Sequence, residues 1–499
     1  MIGLIIRQAN WGILGSIFGA IVGFFIKIYL IDIVGLTQWG KYASFSAFST
    51  LMSTILSLGI PWLIVKYIPH FIEIDKDKAN QIIRKCFVYS LVLSISFICL
   101  IFSFSSIIDQ YIYVKINNFS DFLSLSAFQV PIAIFTGLII ALYRSIFKIK
   151  EIVLYGTLVI VPIRAILTFF VFTYFNNVLY FIYIEIFTSL LSLVILLLLY
   201  NKNNLSLFVK RDPNFVFDTS IKRYSLNMYA NSVITFFSAQ FFTLILSILL
   251  PPIYTGVYSV LLTISGVVLL LINNLNTVFT PAISKLFKAN NIDELSELYK
   301  KTTFIVNLIA FPILILFVFF TKPILFLYDS TGHLYTYKYF FYIIILARLF
   351  RLSVGSAGSM LVMTGLEKYE LKMQIVRGFS MIFISAVLYL LFLDEKNTIC
   401  NFSYENFFIG IVIVFMLFSL LTEFYRVISL YNKLSIHPYS KYTIRLILLS
   451  IPLFYISVIH DFDFAILDYI FIPIFILLLY FSLFYKKIKS IYKEILISD

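Results

Sequence analysis

The sequence predicts an all-α integral membrane protein with about fourteen transmembrane helices and both termini in the cytoplasm. The 499 residues are 61% hydrophobic and only 13% charged, with a mean hydropathy of +0.98. Soluble domains are about 45–50% apolar and about 25% charged, so this chain is too apolar for a water-soluble core. Apolar runs long enough to span a membrane recur along the chain, and basic residues collect in alternate loops.

Fourteen segments have the roughly 20 predominantly apolar residues that a transmembrane helix needs. The first seven predicted spans are 10–32, 42–65, 86–109, 121–143, 152–175, 178–200 and 224–248. The second seven are 253–279, 302–321, 336–363, 373–393, 405–428, 442–461 and 463–485. The links at 176–177, 249–252 and 462 are short enough to be tight outer turns. Two consecutive prolines in the second link support this, because they end a helix.

Lys and Arg residues are concentrated in the loops predicted to lie inside and are rare in those predicted to lie outside. The predicted inner segments hold 26 of the 38 Lys and Arg residues, nine lie within spans or at their ends, and the outer loops hold Lys41, Lys115 and Lys396. Short cytoplasmic loops of membrane proteins are enriched in Lys and Arg, so this distribution places both termini inside. It also explains the net charge of +13 without a nucleic-acid partner.

The two halves of the chain carry a weak parallel repeat. Gly-Lys-Tyr at 40–42 enters the second span, and Gly-Val-Tyr at 256–258 enters the eighth. The inner loops 66–85 and 280–301 both predict short amphipathic surface helices. We therefore expect three parts: an N-terminal six-helix lobe with its linker (1–223), a C-terminal six-helix lobe (224–441), and spans thirteen and fourteen with a cytoplasmic tail (442–499).

The chain resembles the Wzx-type polysaccharide and O-antigen flippases of the multidrug/oligosaccharidyl-lipid/polysaccharide exporter superfamily. The resemblance rests on GKYASFSAF at 40–48, Leu58-Gly59, GVYSVLLTISG at 256–266, TPAISKLFKANNIDELSELYKK at 280–301 and MTGLEKY at 363–369. It implies two six-helix lobes around a central cavity that opens to either side in turn. It also implies a transporter of the bacterial cytoplasmic membrane that moves polyprenyl-diphosphate-linked oligosaccharide for surface polysaccharide or lipopolysaccharide synthesis.

The resemblance also sets expectations for partners and energy source. The partners it implies are an anionic lipid-linked oligosaccharide and membrane lipid, with polysaccharide polymerase machinery as a further candidate. It implies no enzymatic activity and no cofactor, and it suggests a proton or sodium gradient as the energy source. The sequence has no Walker A loop to bind ATP and no histidine spacing typical of a metal site.

Ionisable residues deep in the spans are the candidate site residues. A charge at the bilayer centre costs at least about 2.5–3.5 kcal/mol, so such residues face protein or water. Arg164 lies near the middle of span five, and Glu185 in span six is the most deeply placed acid. Arg348 and Arg351 lie near the middle of span ten, at a spacing that places both on one helical face. Lys27 lies in the outer half of span one.

Two interpretations of these charges are open. In one, Arg164 pairs with Glu185 on the adjacent span, and the span-ten arginines satisfy carbonyl groups between helices. In the other, the arginines line the cavity and bind a diphosphate, because a guanidinium donates two hydrogen bonds to phosphate oxygens. The pair could also open when substrate arrives, which makes Glu185 a candidate for ion coupling. The excess of central cations over acids favours an anionic substrate.

Polar residues elsewhere in the spans add weaker candidates. Span seven contains Asn227, Asn231 and Gln240, and the two asparagines share a helical face. Their amides suit either sugar hydroxyls or interhelical hydrogen bonds. Three further arginines lie nearer the predicted cytoplasmic ends of spans: Arg377, Arg426 and Arg445. We expect these arginine side chains to extend to the membrane interface.

Three other functions compete with the flippase. A cation-coupled multidrug exporter of the same superfamily typically uses intramembrane carboxylates and lacks the last helix pair, whereas the deep charges here are mainly basic. A peptidoglycan-precursor flippase handles the same anionic chemistry, and charge alone does not exclude it. A polysaccharide polymerase or ligase needs a sizeable outer loop that carries catalytic groups, and the predicted outer loops are short.

Overall fold

The computed structural model describes residues 2–203, 217–393, 402–459 and 468–498. Within these ranges the chain is helical and contains no strand, and the predicted all-α class is confirmed. Nine helices of these ranges are long and apolar enough to cross a membrane, or up to eleven if each of two bent pairs is one span. The count of fourteen and the cytoplasmic termini stay predictions. The link at 462 and Lys396 lie outside the described residues.

Packing divides the chain into two compact units, Met1–Ser259 and Val260–Asp499. The first contains α1 (Ile2–Leu56), α2 (Ile60–Ile74), α3 (Lys76–Tyr111), α4 (Phe119–Ser145), α5 (Ile149–Val153), α6 (Ile160–Phe172), α7 (Val178–Asn203) and α8 (Thr219–Leu249). Helix α9 (Pro252–Gly266) runs across the boundary. The second contains α10 (Leu269–Lys288), α11 (Ile292–Phe319), α12 (Thr321–Tyr328), α13 (Lys338–Ser353), α14 (Ala357–Met363), α15 (Glu367–Phe392), α16 (Tyr404–Leu434), α17 (Lys441–Ile459) and α18 (Asp468–Ser498). The three-part division expected from the sequence repeat stays a prediction.

Helix α1 contains the first two predicted spans, which meet at a sharp break instead of a loop. Gly35 interrupts the helix with φ 76° and ψ 164°. Glycine adopts this conformation easily because it has no Cβ. The second predicted span is shorter than expected, since α1 ends at Leu56 and the chain turns through Leu58 and Gly59, both at positive φ, before α2 begins.

The separate surface helices predicted at 66–85 and 280–301 are wrong in their bounds. The Asp75 side chain accepts a hydrogen bond from the Lys78 amide and starts α3 there, one residue after α2 ends. Asn291 caps α11 in the same way through the amide of Glu294. Side-chain caps of this kind satisfy the free amides of a helix start, so each predicted surface segment divides between the end of one helix and the start of a long one.

The repeat-equivalent glycines lie against each other within the first unit. A Cβ added to Gly40 would lie 1.7 Å from the carbonyl oxygen of Pro252, and one added to Gly256 would lie 2.1 Å from the oxygen of Leu36. Helices α1 and α9 therefore cross with their backbones in contact. Small residues are what allow such close crossings between membrane helices.

Each unit has its own buried core. In the first, α2, α3, α4 and α7 pack around residues such as Ile64 and Leu142. In the second, α10, α11, α14 and α16 pack around Ile283 and Leu361. Many outward-facing side chains are also large and apolar, for example Phe379, which is 71% exposed. Such a surface is expected where helices face lipid instead of water.

Candidate functional site

A cluster of polar side chains in the first unit centres on Arg164 of α6. Its Nε donates to Thr188 Oγ1 at 2.9 Å, and its two Nη atoms donate to Glu185 Oε1 at 3.3 Å and to Ser189 Oγ at 3.2 Å, all on α7. A π-helical turn at Leu154–Leu158 precedes α6. Because such a turn inserts one residue, it rotates the side chains that follow by about 100° and so affects which of them face α7.

Glu185 is shared between two donors. Its Oε1 accepts from Arg164, and its Oε2 accepts from the Tyr42 hydroxyl at 3.0 Å. The ring of Tyr42 is held by ring contacts with Trp39 at 4.7 Å and Phe181 at 5.3 Å between centroids. The side chains of Arg164 and Glu185 are 23% and 17% exposed. Both carboxylate oxygens therefore have partners, as a charge within a membrane span requires.

Lys27 of α1 adds a second cation to this cluster. It is half-buried, and the negative charge of Glu185 acts on it. Two cations thus face one carboxylate, and the cluster carries a net charge of +1. The structure brings Lys27, Arg164 and Glu185 together, while their part in substrate binding or ion coupling stays a prediction.

A break in the tenth predicted span shapes the second unit. The chain bends by 41° between α13 and α14. Gly355 forms the turn at φ 59°, and a Cβ there would lie 2.3 Å from Thr303 Oγ1, so glycine is required. The Tyr299 hydroxyl donates to the Val354 carbonyl at 2.6 Å, at the place where the regular helix stops. The break leaves Arg351 in the last turn of α13, where the helix dipole favours a cation.

Arg348 and Arg351 lie on the side of α13 that packs against α16. The guanidinium carbon of Arg348 is 5.6 Å from the ring centroid of Phe415, a cation–π distance. Arg351 is exposed, and among the described residues no carboxylate lies within 4.0 Å of it. The charges of Glu423 and Arg426 act on it from a longer distance.

Arg426 of α16 holds two buried carboxylates. Its Nε donates to Glu370 Oε2 at 3.0 Å, one Nη donates to Glu370 Oε1, and the other donates to Glu423 Oε1 at 2.7 Å. Gln374 also donates to Glu370 Oε1, at 2.9 Å. The side chains of Arg426, Glu370 and Glu423 are 14%, 15% and 8% exposed. The expectation that Arg426 extends to the membrane interface is therefore wrong, because two carboxylates hold it inside the unit.

Two further groups border this cluster. Arg377 of α15 is half-buried, and its charge acts on both glutamates. Tyr439 lies in the link between α16 and α17, where burial raises the pKa of its hydroxyl and the charge of Glu423 adds to the rise, against a hydrogen bond with Ser353. The hydroxyl therefore stays protonated and able to donate. The charges of Arg351, Arg377 and Arg426 interact with those of Glu370 and Glu423, so three arginines stand against two glutamates, a net charge of +1.

Several members of these clusters, Tyr42, Glu370, Glu423 and Arg426 among them, were not predicted from the sequence as site residues. Glu423 and Arg426 have the spacing of a helical ion pair, which was a usable signal. Tyr42 belongs to the repeat motif but gave no sign of its hydrogen bond. Glu370 lies 56 positions from Arg426, and no spacing rule connects them.

The predicted amides of span seven lie on α8, a helix that packs against α1 but carries no member of the charged clusters. Asn227 and Asn231 are exposed, and Gln240 is half-buried. The helix bends by 57° between Phe237 and Ala239. The bend lies between the two asparagines and Gln240, so these three residues occupy two differently directed segments.

Each unit also contains an apolar cavity. One of about 570 Å³ lies among α1, α3 and α8 and is lined by residues such as Phe48, Phe97 and Phe241. The other, of about 430 Å³, lies among α11, α13 and α17 beside Phe350 and Tyr439. Neither lining includes a charged side chain, so both suit apolar chains better than headgroups. In the part of the chain that the structure describes, no group of three His, Cys, Asp or Glu side chains could hold a metal ion.

A family model described as "Polysaccharide biosynthesis protein" matches residues 5–287, which is more than half of the chain. The chain belongs to this family. A second model, MatE, matches residues 229–391. The family and the fold confirm the resemblance that the sequence indicated. A search of curated proteins found no match.

Solved structures share the fold of this family member. An inward-facing multidrug resistance MATE transporter of the MOP superfamily aligns with TM-score 0.63 and 14% identity, over 83% of this chain and 95% of its own. The outward-facing form aligns with TM-score 0.57 and 13% identity, over 86% and 96%. A MOP superfamily transporter from Pyrococcus furiosus, described as having a binding pocket of reverse polarity that suggests a different function, aligns with TM-score 0.56 and 15% identity, over 86% and 96%. The family member is thus a multi-pass membrane protein with a transporter fold.

Proposed function

We propose that the protein translocates a polyprenyl-diphosphate-linked oligosaccharide across the bacterial cytoplasmic membrane for the synthesis of a surface polysaccharide. The diphosphate headgroup binds to guanidinium groups within the helices, while the lipid tail stays in the bilayer. Membership of the polysaccharide biosynthesis protein family supports the polysaccharide part of this proposal. The net positive charge of the cluster in each unit supports the anionic part.

The proposal rests mainly on the surroundings of the Arg351 side chain. The carboxylates of Glu370 and Glu423 are engaged by Arg426, and Arg351 is exposed with none within 4.0 Å in the described ranges. A positive charge in a membrane span is costly unless it meets water or an anion. A guanidinium also suits a diphosphate, because its planar fork donates two parallel hydrogen bonds to phosphate oxygens.

The other candidate residues have supporting roles in this proposal. Lys27 and Arg164 supply positive charge in the first unit, and the partners of Arg164 can exchange for phosphate oxygens. The exposed amides of Asn227 and Asn231 suit sugar hydroxyls, with Gln240 one helical segment further along.

The energy source, partners and domain plan belong to the same proposal. A proton or sodium gradient drives the cycle, and Glu185 is the candidate for ion coupling because it is the carboxylate between Arg164, Tyr42 and Lys27. Polysaccharide polymerase machinery is the expected protein partner. The domain plan of the proposal is an N-terminal lobe at 1–223, a C-terminal lobe at 224–441 and an appendix at 442–499.

The charge of the two polar clusters favours this function over multidrug export. The solved structures that share the fold include multidrug transporters, and the Pyrococcus furiosus relative is described as differing in pocket polarity. Cationic drugs need a negative pocket, whereas both clusters here are positive. A peptidoglycan-precursor flippase shares the anionic chemistry and is the second candidate.

A deletion strain tests the function. We expect loss of surface polysaccharide and accumulation of lipid-linked repeat units on the cytoplasmic side, with cell shape unchanged. Loss of cell-wall integrity would favour the peptidoglycan precursor instead. A change in drug sensitivity alone, with normal surface polysaccharide, would overturn the proposal.

Variants of Arg351 test the site in the complemented strain. Arg351→Lys should lower export about tenfold, because a lysine loses the bidentate geometry and a charged hydrogen bond. Arg351→Ala should nearly abolish export, and Arg351→Glu should be at least as severe. The matched control is Arg445→Ala, which removes an exposed arginine of α17 and should leave export unchanged. Normal export by Arg351→Ala at normal membrane abundance would contradict the site.

A further inference from the structure

The ion network around Arg426 joins α15 to α16, lies against α14, and its charges act on Arg351. Arg426 on α16 engages both oxygens of Glu370 on α15 and one oxygen of Glu423 one turn away on its own helix. Helix α14 lies directly over the guanidinium, since a Cβ added to Gly358 would be 3.4 Å from its central carbon. Only three residues, 354–356, separate α14 from α13, so the network is tied to the helix that carries Arg351.

The site is shaped for an arginine. One planar guanidinium satisfies two carboxylates at once, through three separate hydrogen bonds. A lysine ammonium lacks this fixed geometry. The close approach of Gly358 leaves room for the flat group and little more. Arg426 is thus fully occupied by protein partners, and it is not a group that waits for a ligand.

The two glutamates also interact electrostatically with cations other than Arg426. The charges of Glu423 and Glu370 both act on Arg351, and Arg377 acts on both glutamates. A buried carboxylate that loses its partner carries a large desolvation cost, so it recruits the nearest cation. If Arg426 were absent, Glu423 would compete with a ligand for the guanidinium of Arg351.

We infer that Arg426 is a positioning residue that holds Glu370 and Glu423 in hydrogen bonds and thereby keeps Arg351 available to an anionic diphosphate headgroup. This inference rests on the proposed function, because it takes Arg351 as the headgroup contact. Arg426 itself does not touch the substrate. Its effect on binding acts only through the two carboxylates. Weaker ligand binding at unchanged thermal stability therefore distinguishes this role from a purely structural one.

The test measures binding of undecaprenyl diphosphate to the purified full-length protein in phosphatidylcholine nanodiscs. Arg426→Gln should weaken binding by about tenfold to a hundredfold, the range expected when a charged hydrogen-bond donor is withdrawn. The triple variant that removes all three charges, Arg426→Gln with Glu370→Gln and Glu423→Gln, should bind with at least about a third of the original affinity. Removing the partners of a purely structural arginine would restore thermal stability as well, so binding is compared only between variants of equal abundance and thermal stability.

The outcomes separate this inference from the proposed function. Weak binding by the triple variant, at normal abundance and thermal stability, overturns the positioning role of Arg426. Equal binding by Arg351→Gln and the original protein overturns the proposed function instead. If Arg426→Gln does not accumulate, Glu423→Gln decides the question, because Arg426 is retained and one competing charge is removed. It should bind as tightly as the original protein or up to about threefold tighter, and binding weakened more than tenfold contradicts the inference.

Discussion

The crossing of α1 and α9 makes the substitution Gly40→Ala a sharp test of the packing. The added methyl would lie 1.7 Å from the Pro252 oxygen and 3.0 Å from the Gly256 nitrogen. Attractive contacts between non-bonded carbon atoms lie at about 3.5–4.0 Å, so the first distance is short by about 2 Å. The obstructing atoms belong to the backbone, so no side-chain rotation relieves the overlap. The two helices must separate.

The loss of unfolding free energy expected for Gly40→Ala follows from the burial of the side chains around the crossing. Leu36, Trp39 and Ala43 are 5%, 3% and 7% exposed, so separation loosens a buried contact. Over-packing costs about 1–3 kcal/mol where side chains can yield, and we take the upper end because backbone must move here. A loss of about 3 kcal/mol lowers the apparent Tm by roughly 6–12 °C, at about 2–4 °C per kcal/mol for a unit of this size.

The matched control is Gly23→Ala on the same helix. Gly23 is half-buried, and a Cβ there would meet nothing within 4 Å. Glycine costs about 0.8–1.0 kcal/mol relative to alanine in a helix, so this variant should be slightly more stable than the original protein.

The assay is a thermal-unfolding scan of the detergent-solubilised protein, followed by size-exclusion chromatography. We expect Gly40→Ala and Gly256→Ala to be destabilised to a similar degree. Their combination should add less than about 1 kcal/mol, because both methyl groups open the same crossing. An apparent Tm for Gly40→Ala equal to that of Gly23→Ala would refute the backbone contact.

Two further predictions concern the ion pair of the first unit and the topology. Arg164→Ala should lower membrane abundance, because it leaves Glu185 half-buried and short of a donor at a cost of about 1–3 kcal/mol, and adding Glu185→Gln should restore much of that abundance on immunoblots. Normal abundance of Arg164→Ala with lost export would assign Arg164 to the substrate instead. Reporter fusions should place Lys78 in the cytoplasm and Asn118 outside, and reversal of both would overturn the topology derived from the loop charges.

Much of the architecture was predictable from the sequence, for local reasons. Apolar runs predict helices in the membrane wherever they occur, since the backbone must satisfy its own hydrogen bonds there. The tight turn at 249–252 also follows from local chemistry, because Pro251 and Pro252 cannot continue a helix. The break at Gly35 was not predicted. A glycine within an apolar run is compatible with a continuous helix, and only the path of the neighbouring helices selects the positive φ.

For the charged residues too, some properties were predictable from the sequence and others depend on contacts between helices. Their number, sign and depth in the spans are properties of the sequence, and they were enough to suggest an anionic substrate and a possible partnership of Arg164 with Glu185. Whether Arg426 reaches the membrane interface or stays inside depends on Glu370, which lies 56 positions away on another helix.

Hydrophobicity and charge are sums over residues, so an all-α membrane protein with a surplus of basic residues in its apolar segments was predictable from the sequence. Which of these cations pair with a carboxylate depends on how the helices pack. Arg426 has two carboxylates within hydrogen-bond distance, and Arg351, on a neighbouring helix, has none within 4.0 Å among the described residues. The physical reason is that pairing depends on distances of a few ångströms between helices, and those distances are set by packing.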